Sequence, residues 1–215
     1  MLLVRSTSLQ LRKQQNPERH ILSIAQTHKI TLVDRVIPRS LVSDVVLVLA
    51  GVMLTTLAAQ IQIPTSPVPF TLQTFAVLVI GATYGATRGA ITMGSYAILG
   101  LLGVPVFADW SAGPQVIFGA TGGFIIGFIF AAALTGRLAE LNWSSHYAKM
   151  FASFALGSVV IYSLGIPVLA MTAFSSDLVA ATTYMLPYLI WDAVKALLAT
   201  ALIPTAWLIV KKIKG

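Results

Sequence analysis

At 215 residues the chain is long enough for one domain, and its make-up excludes an ordinary soluble one: 57% of the residues are hydrophobic and only 10% charged, with a mean hydropathy of +0.85, whereas soluble domains carry about 25% charged residues. The net charge of +7 does not point to nucleic acid, because the basic residues flank apolar segments instead of forming a patch. No cysteine is present, so disulfides are excluded.

Residues 1–40 read as a basic amino-terminal extension with seven Lys/Arg, without the apolar stretch and cleavage site of a signal peptide. An interfacial amphipathic helix and a mobile tail both remain open for it. Residues 41–215 read as a membrane domain. Its first apolar run, 41–63, stops at Pro64-Thr65-Ser66-Pro67-Val68-Pro69, a proline-rich turn. The second, 70–84, and the third, 90–102, are short for a crossing; they are two spans or one re-entrant pair. Gly103-Val104-Pro105 ends the third, and a long loop follows to residue 121. The fourth run covers 122–141 and the fifth 150–171. A mixed loop, 172–186, then leads to the sixth, 187–210, where Pro187 suits a first helical turn. The expected fold is an all-α membrane protein of six transmembrane helices.

Charge orients this bundle. Of the fourteen Lys/Arg, thirteen fall in the extension, the second-to-third and fourth-to-fifth connections, and the carboxyl end. The loops 64–69, 103–121 and 172–186 hold none. The positive-inside rule then puts both termini in the cytoplasm and these three loops outside. Gly-x-Pro occurs at Gly103-Val104-Pro105 and again at Gly165-Ile166-Pro167, and both are expected to break or kink a helix near the outer face. Proline and glycine beside aromatic residues in all three outer connections suit a capped cavity in the outer half of the membrane.

Lys195 is the remaining basic residue. It lies about 12 Å along the sixth segment from Pro187, at 1.5 Å per residue. Asp192 precedes it by three positions and shares its helical face. A charge at the centre of a membrane helix costs roughly 2.5–3.5 kcal/mol on insertion scales. Either the two form an ion pair that only closes the bundle, or they serve a ligand with its own donors and acceptors. The neighbouring Trp191 is a belt aromatic or a pocket wall. Gly51, Thr55 and Ala59 recur every four residues on the first segment, a spacing that allows close helix approach. They pack inside the bundle or form a docking face for a partner subunit. A proton- or sodium-coupled carrier would string several acids or histidines across the membrane, and only Asp192 is clearly intramembrane. His20, His28 and His146 fall outside the apolar runs, and no metal motif, nucleophile motif or paired carboxylates appear. The chain is therefore expected not to be an enzyme and to hold no cofactor or metal.

Four stretches occur in the order and spacing of a known family. They are Ala59-Gln60-Ile61-Gln62-Ile63-Pro64 with Ser66-Pro67-Val68-Pro69-Phe70-Thr71-Leu72-Gln73-Thr74, then Leu99 to Ala108, then Gly119 to Phe128, and finally Asp192-Ala193-Val194-Lys195-Ala196. Together they resemble the BioY family, the biotin-binding substrate-capture (S) components of energy-coupling factor (ECF) vitamin transporters. The resemblance implies capture of biotin from outside and delivery to the cytoplasm of the cell whose membrane holds the protein, with a transmembrane coupling subunit and ATPases as partners. It implies that Asp192 accepts from a ureido N–H and that Lys195 donates to the ureido oxygen or to the carboxylate. Gln73 and Thr71 would add neutral hydrogen bonds, and Trp191, Phe107, Phe70 and Tyr188 would wall the apolar part. The chain departs from the family pattern at Asp109-Trp110, where glycines usually follow Phe107-Ala108. Two alternatives stay open: the same scaffold binding another small vitamin-like ligand, and a membrane structural or assembly factor that transports nothing.

Overall fold

The computed structural model describes residues 31–214; the reading of the first 30 residues as interfacial helix or tail lies outside them. Thr31 caps a short helix, α1 (Leu32–Val36), in a reciprocal capping box with Asp34. Ser40 and Ser43 do the same for α2 (Leu41–Gln60). A two-residue hairpin, β1 (Gln62–Ile63) and β2 (Phe70–Thr71), pairs Gln62 with Thr71. Then come α3 (Gln73–Tyr84) and α4 (Ala86–Leu101), joined by the single residue Gly85 at φ 90°, a backbone that glycine adopts without steric cost. The long connection that follows contains a 3₁₀ turn, Ala108–Trp110, and α5 (Pro114–Ile117). The chain finishes with α6 (Gly122–Glu140), a 3₁₀ turn at Trp143–Ser145, α7 (Tyr147–Ala173) and α8 (Leu178–Lys214).

Among the described residues the regular structure is helical apart from the hairpin, and α2, α6, α7 and α8 are each long and apolar enough to cross a membrane. By contrast α3, with 12 residues, and α4, with 16, are shorter. At 1.5 Å per residue they extend about 18 and 24 Å, under the roughly 30 Å of a hydrocarbon core. α6 is the central helix: 61% of its apolar window is buried, against 28% for α2. Small residues set its contacts. A β-carbon on Gly89 of α4 would lie 3.1 Å from Gly81 Cα of α3 and 3.2 Å from Ala132 O of α6, so three backbones meet where only glycine and alanine fit. The outward faces of α2 and α8 carry exposed Leu49, Met53, Leu57, Ile190, Leu198 and Leu202, a surface suited to lipid.

Four sequence expectations shift. Residues 31–40 do not stand apart from the membrane domain: Thr31 is buried, and Asp34 takes Arg39 and Arg88 at 2.7 Å each, while Arg88 also reaches Asp44 at 2.7 Å. Burial opposes ionisation of Asp34, but its hydrogen bonds from Arg39, Arg88 and Thr31 outweigh that and hold its carboxyl well below the usual carboxylate range. The loop expected at 172–186 shrinks to residues 174–177, because Asp177 caps α8, accepting from the Val179 and Ala180 amides at 2.9 and 3.0 Å. Pro187 therefore sits inside α8, as Pro204 does. The second Gly-x-Pro leaves α7 continuous through Pro167, whereas Gly103, at φ 97°, does end α4.

Candidate functional site

The hairpin and the 102–121 connection gather at the Asp192 end of the bundle around a cavity of about 630 Å³. Each side chain around it is placed by a local device. Gln60, at the end of α2, donates to Phe107 O at 3.0 Å and accepts from the Trp110 amide at 3.1 Å, which anchors the 107–110 segment. The Tyr184 and Tyr188 hydroxyls, one turn apart on α8, both donate to Val68 O, at 3.2 and 2.7 Å, and tie the proline-rich turn down. Phe107 is 2% exposed and stands edge-on to Tyr96 with ring centroids 5.3 Å apart.

Asp192 and Lys195 are 7% and 9% exposed and lie 2.9 Å apart, Nζ to Oδ1. Neither relies on the other alone. Lys195 Nζ also donates to Thr71 O at 2.8 Å and to Thr74 Oγ1 at 2.9 Å, and it lies 4.4 Å from the centre of the Phe70 ring. Asp192 also accepts from Thr74 Oγ1 at 3.0 Å and from the Tyr162 hydroxyl at 2.7 Å. Such cross-links satisfy a desolvated pair that Coulomb attraction alone would not repay. They also present donors and an acceptor to the cavity, since both residues line it.

Of the residues expected to make the site, Asp192, Lys195, Gln73, Thr71, Phe107, Phe70 and Tyr188 all line this cavity. Gln73 and Thr71 are buried and bonded to each other, Thr71 Oγ1 donating to Gln73 Oε1 at 3.0 Å, and Gln73 also donates to the Tyr96 hydroxyl. Trp191 is outside: it is 54% exposed, with its ring centroid 6.0 Å from that of Phe70. It lies about 100° around α8 from Asp192, on the flank of the inward stripe. Gly51, Thr55 and Ala59 are buried within the bundle, and a β-carbon on Gly51 would lie 2.6 Å from Thr92 Cγ2, so none of the three offers a surface to a partner. Thr74 and Tyr162 were not anticipated. Thr74 lies within one of the quoted motifs, whereas a lone tyrosine in an apolar run carries no sequence signal. Tyr162 and Asp192 also line a second, apolar space of about 550 Å³ between α7 and α8, beside Phe151, Val159 and Leu189.

The model of the BioY family matches residues 26–212. The chain belongs to this family. Among BioY proteins it is similar to the biotin transporter BioY of Thermotoga maritima, 42% identical over 125 residues that make up 57% of this chain and 73% of the relative. It is also similar to the probable biotin transporter BioY of Pyrococcus horikoshii, 37% identical over 161 residues, 74% of this chain and 92% of the relative. A crystal structure described as the S-component for biotin from an ECF-type ABC transporter superposes with a TM-score of 0.66 over 81% of this chain and 91% of that one. At 22% identity that likeness shows the fold alone.

Proposed function

We propose that this chain is the membrane subunit that captures biotin and passes it to the cytoplasm. The observation that carries the reading is the buried, fully bonded Asp192–Lys195 pair in the wall of a cavity of about 630 Å³, a volume typical of small-molecule sites. Biotin's ureido ring offers two N–H donors and a strongly accepting carbonyl. Asp192 accepts from an N–H, and Lys195 donates to the carbonyl oxygen. Thr71 and Gln73 supply neutral partners, while Phe70, Phe107 and Tyr188 cover the thiophane ring and chain. Family membership and the names of the relatives point to the same ligand.

In this reading α2, α3, α4, α6, α7 and α8 make six crossings of the cell membrane, the short α3 and α4 being met by their longer neighbours. Among the described residues, none between 62 and 71, between 102 and 121 or between 174 and 177 is Lys or Arg, while Arg39 precedes α2 and Arg88, Arg137, Lys149, Lys211 and Lys212 lie in the first or last turns of α4, α6, α7 and α8, at the helix ends away from those three loops. This distribution supports cytoplasmic termini and a cavity opening outward. A transmembrane coupling subunit and ATPases of the ECF type would supply the energy. Biotin titrated into the purified chain is expected to bind with one site, and thiamine and riboflavin are expected not to compete. Absence of biotin binding in folded protein would overturn the assignment, and a mild-detergent pull-down from native membranes reads the partners.

A further inference from the structure

The two members of the Asp192–Lys195 pair are satisfied unequally. Lys195 has three protons, and they go to Thr71 O, Thr74 Oγ1 and Asp192 Oδ1. It reaches a ligand carbonyl only by sharing or giving up one of these. Asp192 differs. Its Oδ1 accepts from Lys195 and from Thr74, and its Oδ2 accepts from the Tyr162 hydroxyl at 2.7 Å. Both oxygens are bonded, yet a carboxylate has about four acceptor sites, and among the described residues this one uses three. The place left is on Oδ2, beside the phenol, and both side chains line the cavity.

Tyr162 is seated to hold that oxygen. Its ring is buried and meets Phe124 of α6 edge-on, with centroids 6.1 Å apart and planes at 89°. Phe124 in turn fills the space over Gly165, one turn along α7 from Tyr162, where a β-carbon would overlap its ring. The phenol proton therefore arrives at Oδ2 from a fixed direction. Thr74 acts on the other oxygen: it accepts from Lys195, so its own proton goes to Oδ1. Donors from α3, α7 and α8 thus set the plane of the carboxylate in the empty cavity. An acceptor oriented before the ligand arrives loses less freedom on binding.

We propose that Tyr162 is a positioning residue for the ligand: by holding Oδ2 it leaves the carboxylate one acceptor site, which takes one particular N–H of the ureido ring and not the other. The proposal rests on the biotin reading. The carbonyl beside that N–H then faces Lys195, so the pair reads a single edge of the ring, a donor next to an acceptor. The test is titration of the full chain with biotin and with two cyclic carbamates, each having one ureido N–H replaced by oxygen. Both carbamates should bind more weakly than biotin, and their affinities should differ by roughly tenfold or more, the scale of a hydrogen bond to a charged group. Tyr162→Phe should bring the two carbamates to within about threefold of each other, because the carboxylate is no longer held in one plane. A tyrosine that only steadied the bundle would instead lower the melting temperature and weaken all three ligands by one factor, since independent effects add. Phe124→Leu loosens the seat of the ring and keeps the phenol; it should narrow the gap in the same direction, and it serves where Tyr162→Phe does not fold. Equal affinity of the two carbamates for the wild type, or a gap that both substitutions leave unchanged, would overturn the proposal. Failure of biotin itself to bind the folded wild type would overturn the biotin reading, and the proposal with it.

Discussion

At the scale of single residues, the Asp192–Lys195 pair is where binding and stability can be told apart. Asp192→Asn leaves Lys195 with its Thr71 and Thr74 bonds but without its counter-charge. Biotin affinity should fall by about 1.5–3 kcal/mol, the worth of a hydrogen bond to a charged group. Lys195→Met should weaken binding comparably. The double variant should cost the fold less than the sum of the singles, because no lone charge stays buried, and it should still bind poorly. Affinity and melting temperature across the four proteins check this; wild-type affinity in the double variant would leave the pair a mere brace. These two residues were legible in the sequence because a charge inside an apolar run needs a reason. Tyr162 and Thr74 were not, since hydroxyls in membrane helices usually bond their own backbone, as Thr55 does to Gly51 O at 2.9 Å. Trp191 misled because neighbours along a helix diverge in direction, and its flank position turned it outward.

At the scale of elements, long apolar runs located α2, α6, α7 and α8 directly, since a membrane span leaves an unmistakable stretch of sequence. The start of α8 was hidden: Pro187 looks like a first-turn residue, and the true cap, Asp177, lies ten positions earlier. The stripe Gly51, Thr55 and Ala59 was legible as a close-packing face but not as to which neighbour it meets, and α4 supplies the answer through Thr92. Gly51→Leu should therefore overpack the α2–α4 contact by about 1–3 kcal/mol, lowering melting temperature and biotin binding together; intact binding with lost transport would mean an outward face. The knot at α1 gives a pH signature. Because the folded Asp34 carboxyl titrates below its ordinary value, its contribution is full above the unfolded value of about 3.9 and is lost as pH falls toward the folded one. The gap in melting temperature between the wild type and Asp34→Asn should be constant at neutral pH and close below about pH 4. A gap that widened on acidification would contradict the depressed carboxyl.

At the scale of the whole molecule, the asymmetric placement of Lys and Arg was readable without any coordinates, because orientation in a membrane follows charge and not packing. A reporter fused after Gly215 should be active in its cytoplasmic form; activity only outside the cell would reverse the bundle and move the cavity to the wrong face. The shape of the cavity was not readable, since it depends on carbonyls such as Val68 O and Phe107 O that no side-chain pattern announces. The Tyr162–Asp192 bond has a consequence at this scale. Tyr162 and Asp192 belong to the walls of both the cavity and the apolar cleft between α7 and α8, so this bond stands where the two spaces meet. An acyl tail or detergent chain entering that cleft would lie against the same two side chains, and any coupling to a ligand in the cavity would be reciprocal, each occupant changing the other's affinity by the same factor. Biotin titrations in detergents of differing tail width would measure that coupling, and equal affinities in all of them would show that the cleft and the cavity act independently.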